Sequence, residues 1–147
     1  MNLQIRYAEA EDRDAWYALD RHLREAEFDR KVRDRRGLVM TEDDRIIGVL
    51  RWNLFWDEVP FCTFLCFAED RRGRGYGRLL MTRWEREMAA LGHDMVMTST
   101  QSDETAQHFY RKLGYRDSGG FTTDIPGHEQ PLELIFIKGL GRKEYEI

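Results

Sequence analysis

A glycine-rich turn between an apolar stretch and a helical pattern constrains the fold of this chain more than any other segment. Residues 71–80 are Arg-Arg-Gly-Arg-Gly-Tyr-Gly-Arg-Leu-Leu, and they follow the apolar run Phe61–Phe67. Glycine permits positive φ and close backbone approach, so neighbouring N–H groups can converge on an anion. A following helix and the arginines add positive charge. The pattern predicts a pyrophosphate cradle, but a plain turn or a basic segment that touches nucleic acid is also compatible with it.

The composition favours a local anion site over a segment that binds nucleic acid. The chain has 147 residues, a length typical of one domain, and it is 41% hydrophobic with a net charge of −4. Nucleic-acid-binding domains usually carry a basic balance, so the acidic chain favours a local anion site. Cys62 and Cys66 lie in an apolar run without a nearby histidine, which predicts buried hydrophobic side chains and no metal site.

Targeting signals do not stand out in the sequence. The N-terminal residues lack the positive segment and apolar core of a signal peptide, and no apolar run has the length of a membrane span. We therefore expect a cytoplasmic protein, with a loosely ordered tail over residues 143–147.

Hydrophobic periodicity predicts an alternation of strands and helices. The expected strands cover residues 3–7, 38–41, 46–56, 61–67, 95–100, 119–123 and 132–138. The expected helices cover residues 10–36 with a break near Glu25, then 75–91 and 103–113. The buried stripe of the second helical region should contain Leu80, Trp84, Met88 and Leu91, and Ser102 or Asp103 should cap the last helix. A strand–helix–strand unit around residues 75–91 implies a parallel pair within a mixed sheet.

This order of elements, together with three motifs, resembles the GNAT superfamily of acyl-CoA-dependent N-acetyltransferases. The family's Arg/Gln-x-x-Gly-x-Gly/Ala signature matches residues 72–77 directly after an apolar strand. Its Asn-x-x-Ala-x-x-Phe-Tyr-x-x-x-Gly-Phe/Tyr signature matches residues 103–115, except that Asp103 replaces the asparagine. Residues 44–48, Asp-Arg-Ile-Ile-Gly, resemble the family's strand-entry Ile-x-Gly pattern more softly.

The resemblance covers nearly the whole chain and implies one GNAT domain over residues 1–147. The fold class that it implies is α/β, with a mixed, mostly antiparallel central sheet, helices on both faces and a splayed parallel central strand pair.

The resemblance also implies a binding site for the co-substrate acetyl-CoA. Backbone amides of residues 72–77 would hold the pyrophosphate, with side-chain contacts from Arg72 and Arg74. Residues 65–67 would present backbone groups to the pantetheine arm and the thioester, in the manner of an added strand. The cofactor-binding residues expected in this way are Leu65, Cys66, Phe67, Arg72, Gly73, Arg74, Gly75, Tyr76, Gly77, Asp103 and Ala106.

Acetylation of an amine needs a neutral nucleophile, N–H donors for the oxyanion and a proton for the departing thiolate. A backbone amide near Cys66 and Phe67 is the natural oxyanion donor. The family places a tyrosine near the thioester sulfur, which implies Tyr110 as the acid. A packing tyrosine on an amphipathic helix is the alternative interpretation.

The general base is harder to predict, because Phe61–Phe67 contains no carboxylate or histidine. The nearby candidates are Asp57, Glu58, Glu69, Asp70, His22 and His108. We rank Glu58 first because its hairpin precedes the central strand towards the acceptor side. A water chain or the absence of a dedicated base also agrees with the family pattern.

Three aromatic residues on the third strand suggest a second feature of the site. Strand alternation predicts that Trp52 and Trp56 share one face and that Phe55 takes the other. One face is expected to pack in the core, and the other could form a wall of an acceptor pocket and hold a cationic amine.

The sequence therefore predicts an N-acetyltransferase that moves an acetyl group from acetyl-CoA to a primary amine of a small molecule or a protein. The alternatives are a non-catalytic acyl-CoA-binding module on the same fold and a nucleotide- or RNA-binding domain that uses the arginines. We expect no nucleic-acid, membrane or metal partner, and the last strands leave a homodimer open. Residues 10–36 and 121–137 would select the acceptor, but no motif there identifies it.

Overall fold

The computed structural model describes residues 2–141. The tail expectation for residues 143–147 lies outside this range. The strands are β1 (Leu3–Tyr7), β2 (Gly37–Glu42), β3 (Arg45–Phe55), β4 (Val59–Phe67), β5 (Met95–Gln101), β6 (Arg116–Phe121) and β7 (Glu133–Gly139). The helices are α1 (Arg13–Leu19), α2 (Glu25–Arg33), α3 (Tyr76–Ala90) and α4 (Ala106–Lys112), with short 3₁₀ turns at Ala10–Asp12 and Glu69–Arg71.

The described residues group into two compact units. The first contains residues 2–53 and 62–87, and the second contains residues 54–61 and 88–141. The prediction of one domain over residues 1–147 stays a prediction.

The first unit contains an antiparallel run of strands. β1 pairs with β2, with Leu3 opposite Glu42 and Tyr7 opposite Leu38. β2 then pairs with β3, with a register shift after Met40. Asp43 and Asp44, both at positive φ, form the tight turn that joins β2 to β3.

Apolar side chains cover both faces of β4 within this unit. Phe64 and Cys66 pack against the core formed by α1, α2 and the facing strands, where the Trp16 and Phe28 rings meet edge-to-face at 5.7 Å. The next residue, Phe67, lies 6.5 Å from the ring of Tyr76 on α3. Strand alternation explains this arrangement, because residues 64 and 66 share a face that residue 67 does not.

The second unit contains a three-stranded antiparallel run in the order β5-β7-β6. Phe136 on β7 is fully buried, and its ring lies 6.0 Å from the ring of Tyr110 on α4. An aromatic cluster therefore attaches α4 to this part of the sheet.

Two sequence predictions about the helices were wrong. Leu91 is 67% exposed, because α3 ends at Ala90 and Leu91 lies beyond the periodic stripe. The last helix starts at Ala106, so neither Ser102 nor Asp103 caps it. The Glu104 carboxylate instead accepts bonds from the Gln101 amide at 3.0 Å and the Thr100 hydroxyl at 3.1 Å, which stabilises a turn before the helix.

Between residues 2 and 141, no helix combines the length and apolar character that crossing a bilayer requires.

Candidate functional site

The loop between β4 and α3 has a backbone conformation that favours glycine. Gly73 has φ 74° and Gly75 has φ 81°. Among the described atoms outside the adjacent residues, none lies within 4 Å of the position that a Cβ would take at either glycine. The glycines are therefore required by conformation and not by crowding, and the space beside the loop is open to a ligand.

The N-terminus of α3 follows this loop directly. The Leu79 amide donates to the Gly75 carbonyl at 3.3 Å at the start of this helix. The amides that precede Leu79 belong to the first turn, whose N–H groups have no acceptor within the helix. Together with the helix dipole, they provide the usual elements of an anion site.

The four arginines of the segment differ in what they contact. Arg71 donates to the Glu42 carboxylate at 2.8 Å, and the Arg72 Nε donates to the Phe67 carbonyl at 3.1 Å. Arg74 and Arg78 are exposed, and neither forms a hydrogen bond or an ion pair with another residue in the described range. The latter two side chains are thus the ones available to an anion at this loop.

The end of β4 can lie close to β3 because Gly48 has no side chain. A Cβ at Gly48 would lie 2.4 Å from the ring of Phe67, far inside the contact distance. The Ala68 amide also donates to the Ile47 carbonyl at 2.8 Å. These contacts give a physical reason for glycine in the Ile-x-Gly pattern. Leu65 and Cys66, the other proposed pantetheine contacts, are half-buried.

Tyr110 lies on α4 in the second unit and is 6% exposed. Its ring packs edge-to-face on Phe109 at 5.2 Å and on Tyr115 at 5.8 Å. The ring therefore packs in an aromatic cluster, and the proposed acid role of Tyr110 stays a prediction. In the turn before α4, Asp103 is exposed, and Ala106 begins the helix half-buried.

The candidate bases are all at the surface. The exposed candidates are Asp57, Glu58, Glu69, Asp70, His22 and His108. A hydrogen bond from Arg45 lowers the pKa of the Asp70 carboxyl, and Arg71 lies 3.1 Å from the same group. Asp70 is consequently a weaker base than an unpaired carboxylate.

The aromatic group of the third strand does not have the predicted arrangement. Trp52 is 2% exposed and packs on Trp84 at 6.1 Å, so it belongs to the core. Trp56 does not share its face, because β3 ends at Phe55 and Trp56 begins a turn with φ 57°. Strand alternation no longer applies at that position.

Comparison with known proteins identifies the family. The model of the acetyltransferase (GNAT) family matches residues 2–115. The chain belongs to the GNAT family. The predicted resemblance is confirmed, and with it acetyl transfer as the family's general activity.

Solved GNAT structures have the same fold. The ribosomal-protein-S18-alanine N-acetyltransferase from Escherichia coli has a TM-score of 0.83 and 16% identity over 99% of both chains. Ard1 from Thermoplasma volcanium has a TM-score of 0.84 and 15% identity over 97% of this chain and 100% of its own. A GNAT acetyltransferase from Elizabethkingia anophelis with acetyl-CoA bound has a TM-score of 0.75 and 16% identity, covering 94% and 98%.

At these identities the likeness shows the fold alone, and it confirms the predicted α/β class with a mostly antiparallel sheet and flanking helices. No curated protein matches this GNAT chain in sequence.

A buried polar network in the GNAT chain escaped the sequence analysis. Asp20 is fully buried after α1, where its carboxylate accepts from the Trp16 indole at 3.1 Å and from the Arg51 Nε at 2.7 Å. Its other oxygen accepts from the His22 amide at 3.2 Å. The network attaches the α1–α2 loop to β3. The only local signal was an aspartate four residues after Trp16, on the same side of a helix.

Proposed function

We propose that this GNAT protein is a cytoplasmic N-acetyltransferase that transfers an acetyl group from acetyl-CoA to a primary amine of a small molecule or a protein. One observation carries the proposal. Gly73 and Gly75 have a left-handed backbone between an apolar strand and a helix N-terminus, and no side chain of residues 2–141 lies within 4 Å of their Cβ positions, adjacent residues aside. This arrangement suits a bound pyrophosphate.

The pyrophosphate would be bound mainly by backbone amides of residues 72–77. The guanidinium groups of Arg74 and Arg78 have no partner among the described residues and can add charge-assisted hydrogen bonds. Arg72 would contribute through its backbone, because its Nε already donates to the Phe67 carbonyl. Residues 65–67 remain the proposed contacts of the pantetheine arm, and Asp103 and Ala106 remain proposed contacts of the coenzyme.

The reaction begins with attack of the neutral amine nitrogen on the thioester carbonyl carbon. A C–N bond forms, the C–S bond breaks, and backbone N–H groups near Cys66 and Phe67 stabilise the oxyanion. The Tyr110 hydroxyl gives its proton to the departing thiolate. The proton lost by the amine is accepted by Glu58 or by water. Transfer of a proton through solvent then returns the Tyr110 phenolate to its neutral form and leaves the base unprotonated.

Thiol release from acetyl-CoA, measured against a panel of amines, tests this proposal. Tyr110→Phe keeps the ring that packs on its neighbours and removes only the hydroxyl. We expect kcat to fall by about 10²–10⁴-fold with unchanged coenzyme A affinity. Tyr115→Phe is the matched control, because this ring lies in the same cluster and should retain activity. An undiminished rate in Tyr110→Phe would exclude the acid role.

A non-catalytic acyl-CoA-binding module is the second candidate. The exposure of every predicted base favours it, since a dedicated base is usually held in a shielded site. Coenzyme A binding without thiol release on any amine would support this module. If the enzyme is active, loss of the acidic limb of the pH–rate profile in Glu58→Gln would support Glu58 as the base.

A further inference from the structure

The turn between β3 and β4 has a conformation that its residues do not favour. The Glu58 amide donates to the Phe55 carbonyl at 3.0 Å, and Trp56 and Asp57 between them have φ 57° and 59°. These values are typical of a type I′ hairpin turn, in which Asn-Gly is the preferred pair. A bulky residue at positive φ is a genuine outlier.

The strain at Trp56 has no compensation from burial. The side chain is 74% exposed, so the hydrophobic core does not explain why tryptophan occupies this position. The other tight turn of this kind, between β2 and β3, has the short polar residues Asp43 and Asp44 at its positive φ positions. Strained residues that persist without a structural benefit commonly belong to functional surfaces.

Trp56 forms a surface with two further rings, of which Phe55 is exposed and Phe61 is half-buried. Its ring lies 4.6 Å from that of Phe55, which in turn lies 6.1 Å from Phe61. We call these three residues the aromatic turn surface. Tryptophan is one of the residue types enriched among the hot spots at the centres of protein–protein interfaces, so the surface is suited to a macromolecular partner.

The charges beside the rings restrict the partner. Asp57 and Glu58 are exposed carboxylates in the same turn. Aromatic faces and carboxylates both attract cations. A symmetric contact with a second copy would bring like charges together, and an anionic lipid surface would be repelled. A free small molecule usually needs a concave site, which an open turn does not offer.

We propose that the aromatic turn surface docks the lysine or arginine side chains of a basic protein segment. The cationic groups would stack on Trp56 and Phe55 and face the carboxylate of Asp57. The proposal concerns binding only and does not depend on acetyl transfer, so either can fail without the other.

Intrinsic fluorescence of the full chain gives a direct test. Trp16, Trp52 and Trp84 are at most 2% exposed, so Trp56 is the tryptophan accessible to acrylamide. A lysine- and arginine-rich peptide should protect Trp56 from quenching and shift its emission to shorter wavelength. Neutral and acidic peptides of the same length should do neither. Protection should weaken with added salt.

Two variants and a control separate charge, ring and backbone effects, with binding followed by anisotropy of a dye-labelled peptide. Asp57→Asn keeps a residue that tolerates positive φ and removes the charge, so affinity should fall by about tenfold. Trp56→Asn should abolish binding while raising the Tm by about 3 °C. Asp43→Asn in the other hairpin turn should leave the peptide affinity and the Tm unchanged.

Three results would overturn the proposal. They are absence of protection by the basic peptide, equal protection by the acidic peptide, and shielding of Trp56 that grows with protein concentration alone. The last result would identify a second copy as the occupant.

Discussion

Two turns precede and follow β4 in the chain, and they fill the same left-handed backbone region with opposite residue types. The turn before the strand places Trp56 and Asp57 at φ 57° and 59°, and the loop after it places Gly73 and Gly75 at φ 74° and 81°. Glycine adopts this region without strain and exposes backbone amides, which suits an anion. Tryptophan is strained there but presents a ring. One turn is therefore suited to binding through its backbone and the other through its side chains.

The largest effect is expected where β4 leads into the glycine loop. Gly48→Ala would push a Cβ to 2.4 Å from the Phe67 ring and should lower the free energy of unfolding by about 3 kcal/mol. Urea denaturation measures the change. Gly139→Ala is the control, because no described atom lies within 4 Å of its Cβ position and its φ is outside the left-handed region. A loss below about 0.5 kcal/mol would show that Phe67 moves freely and does not fix this end of β4.

The second prediction tests whether the glycines of the loop are required for their backbone conformation or for close packing. Gly75→Val should destabilise the protein by about 2 kcal/mol, because a β-branched residue is strained at φ 81°. Gly127→Val should cost a similar amount, since Gly127 has φ 86° and equally open surroundings. Thermal unfolding of both variants provides the measurement. A much larger loss at Gly75 alone would indicate crowding and weaken the comparison.

A substitution in the aromatic turn surface should stabilise the protein, in contrast to the substitutions in the glycine loop. Trp56→Asn should raise the free energy of unfolding by about 1 kcal/mol, because asparagine tolerates the left-handed region. Asp44→Asn, in the other tight turn, should change it by less than about 0.5 kcal/mol. Denaturant titration compares the two. Destabilisation by Trp56→Asn would mean that the exposed ring contributes more to stability than its conformation costs.

The pH dependence of stability provides a further test, at the strand that leads into the aromatic turn surface. Lys31 is buried, and its Nζ donates to the Trp52 carbonyl at 2.8 Å and the Asn53 side chain at 2.6 Å. Burial lowers the pKa of Lys31 to about 8, with a further contribution from the charge of Arg51.

The sign of the pH effect follows from this lowered pKa. An unfolded lysine keeps its proton up to about pH 10.4, so between about pH 8 and 10 the unfolded state binds more protons. Stability should therefore rise by on the order of 1 kcal/mol across this window and be lower below it. Lys31→Met should abolish the rise, as measured by denaturation at several pH values. The same rise in the variant would assign it to another group.

The sequence predicted those parts of the fold whose signals are local. The glycine run, the continuous apolar run of β4 and the stripe of Leu80, Trp84 and Met88 all correspond to observed elements. The helix after β5 started three residues too early in the prediction, because the Glu104 carboxylate forms a competing turn with Gln101. Propensity does not decide between two such local hydrogen-bond patterns.

The rest of the site depended on contacts between distant residues. The Asp20–Arg51 ion pair joins positions 31 residues apart. The ring that would lie 2.4 Å from a Cβ at Gly48 likewise belongs to a residue on another strand. Trp56 was misassigned because the alternation of β3 was extended one residue past its end. A periodic pattern does not mark where a strand stops, and backbone strain at the turn has no signature in residue type.

Coenzyme A binding measured by calorimetry tests the central claim most directly. The wild type, the Gly73→Ala/Gly75→Ala variant and Gly127→Ala should be compared, since Gly127 has a similar left-handed backbone, with φ 86°, outside the loop. The account predicts that coenzyme A binds the wild type and Gly127→Ala with equal affinity, and that the double variant loses at least about 100-fold while remaining folded. Unchanged affinity in the double variant would contradict the assignment of the pyrophosphate to residues 72–77.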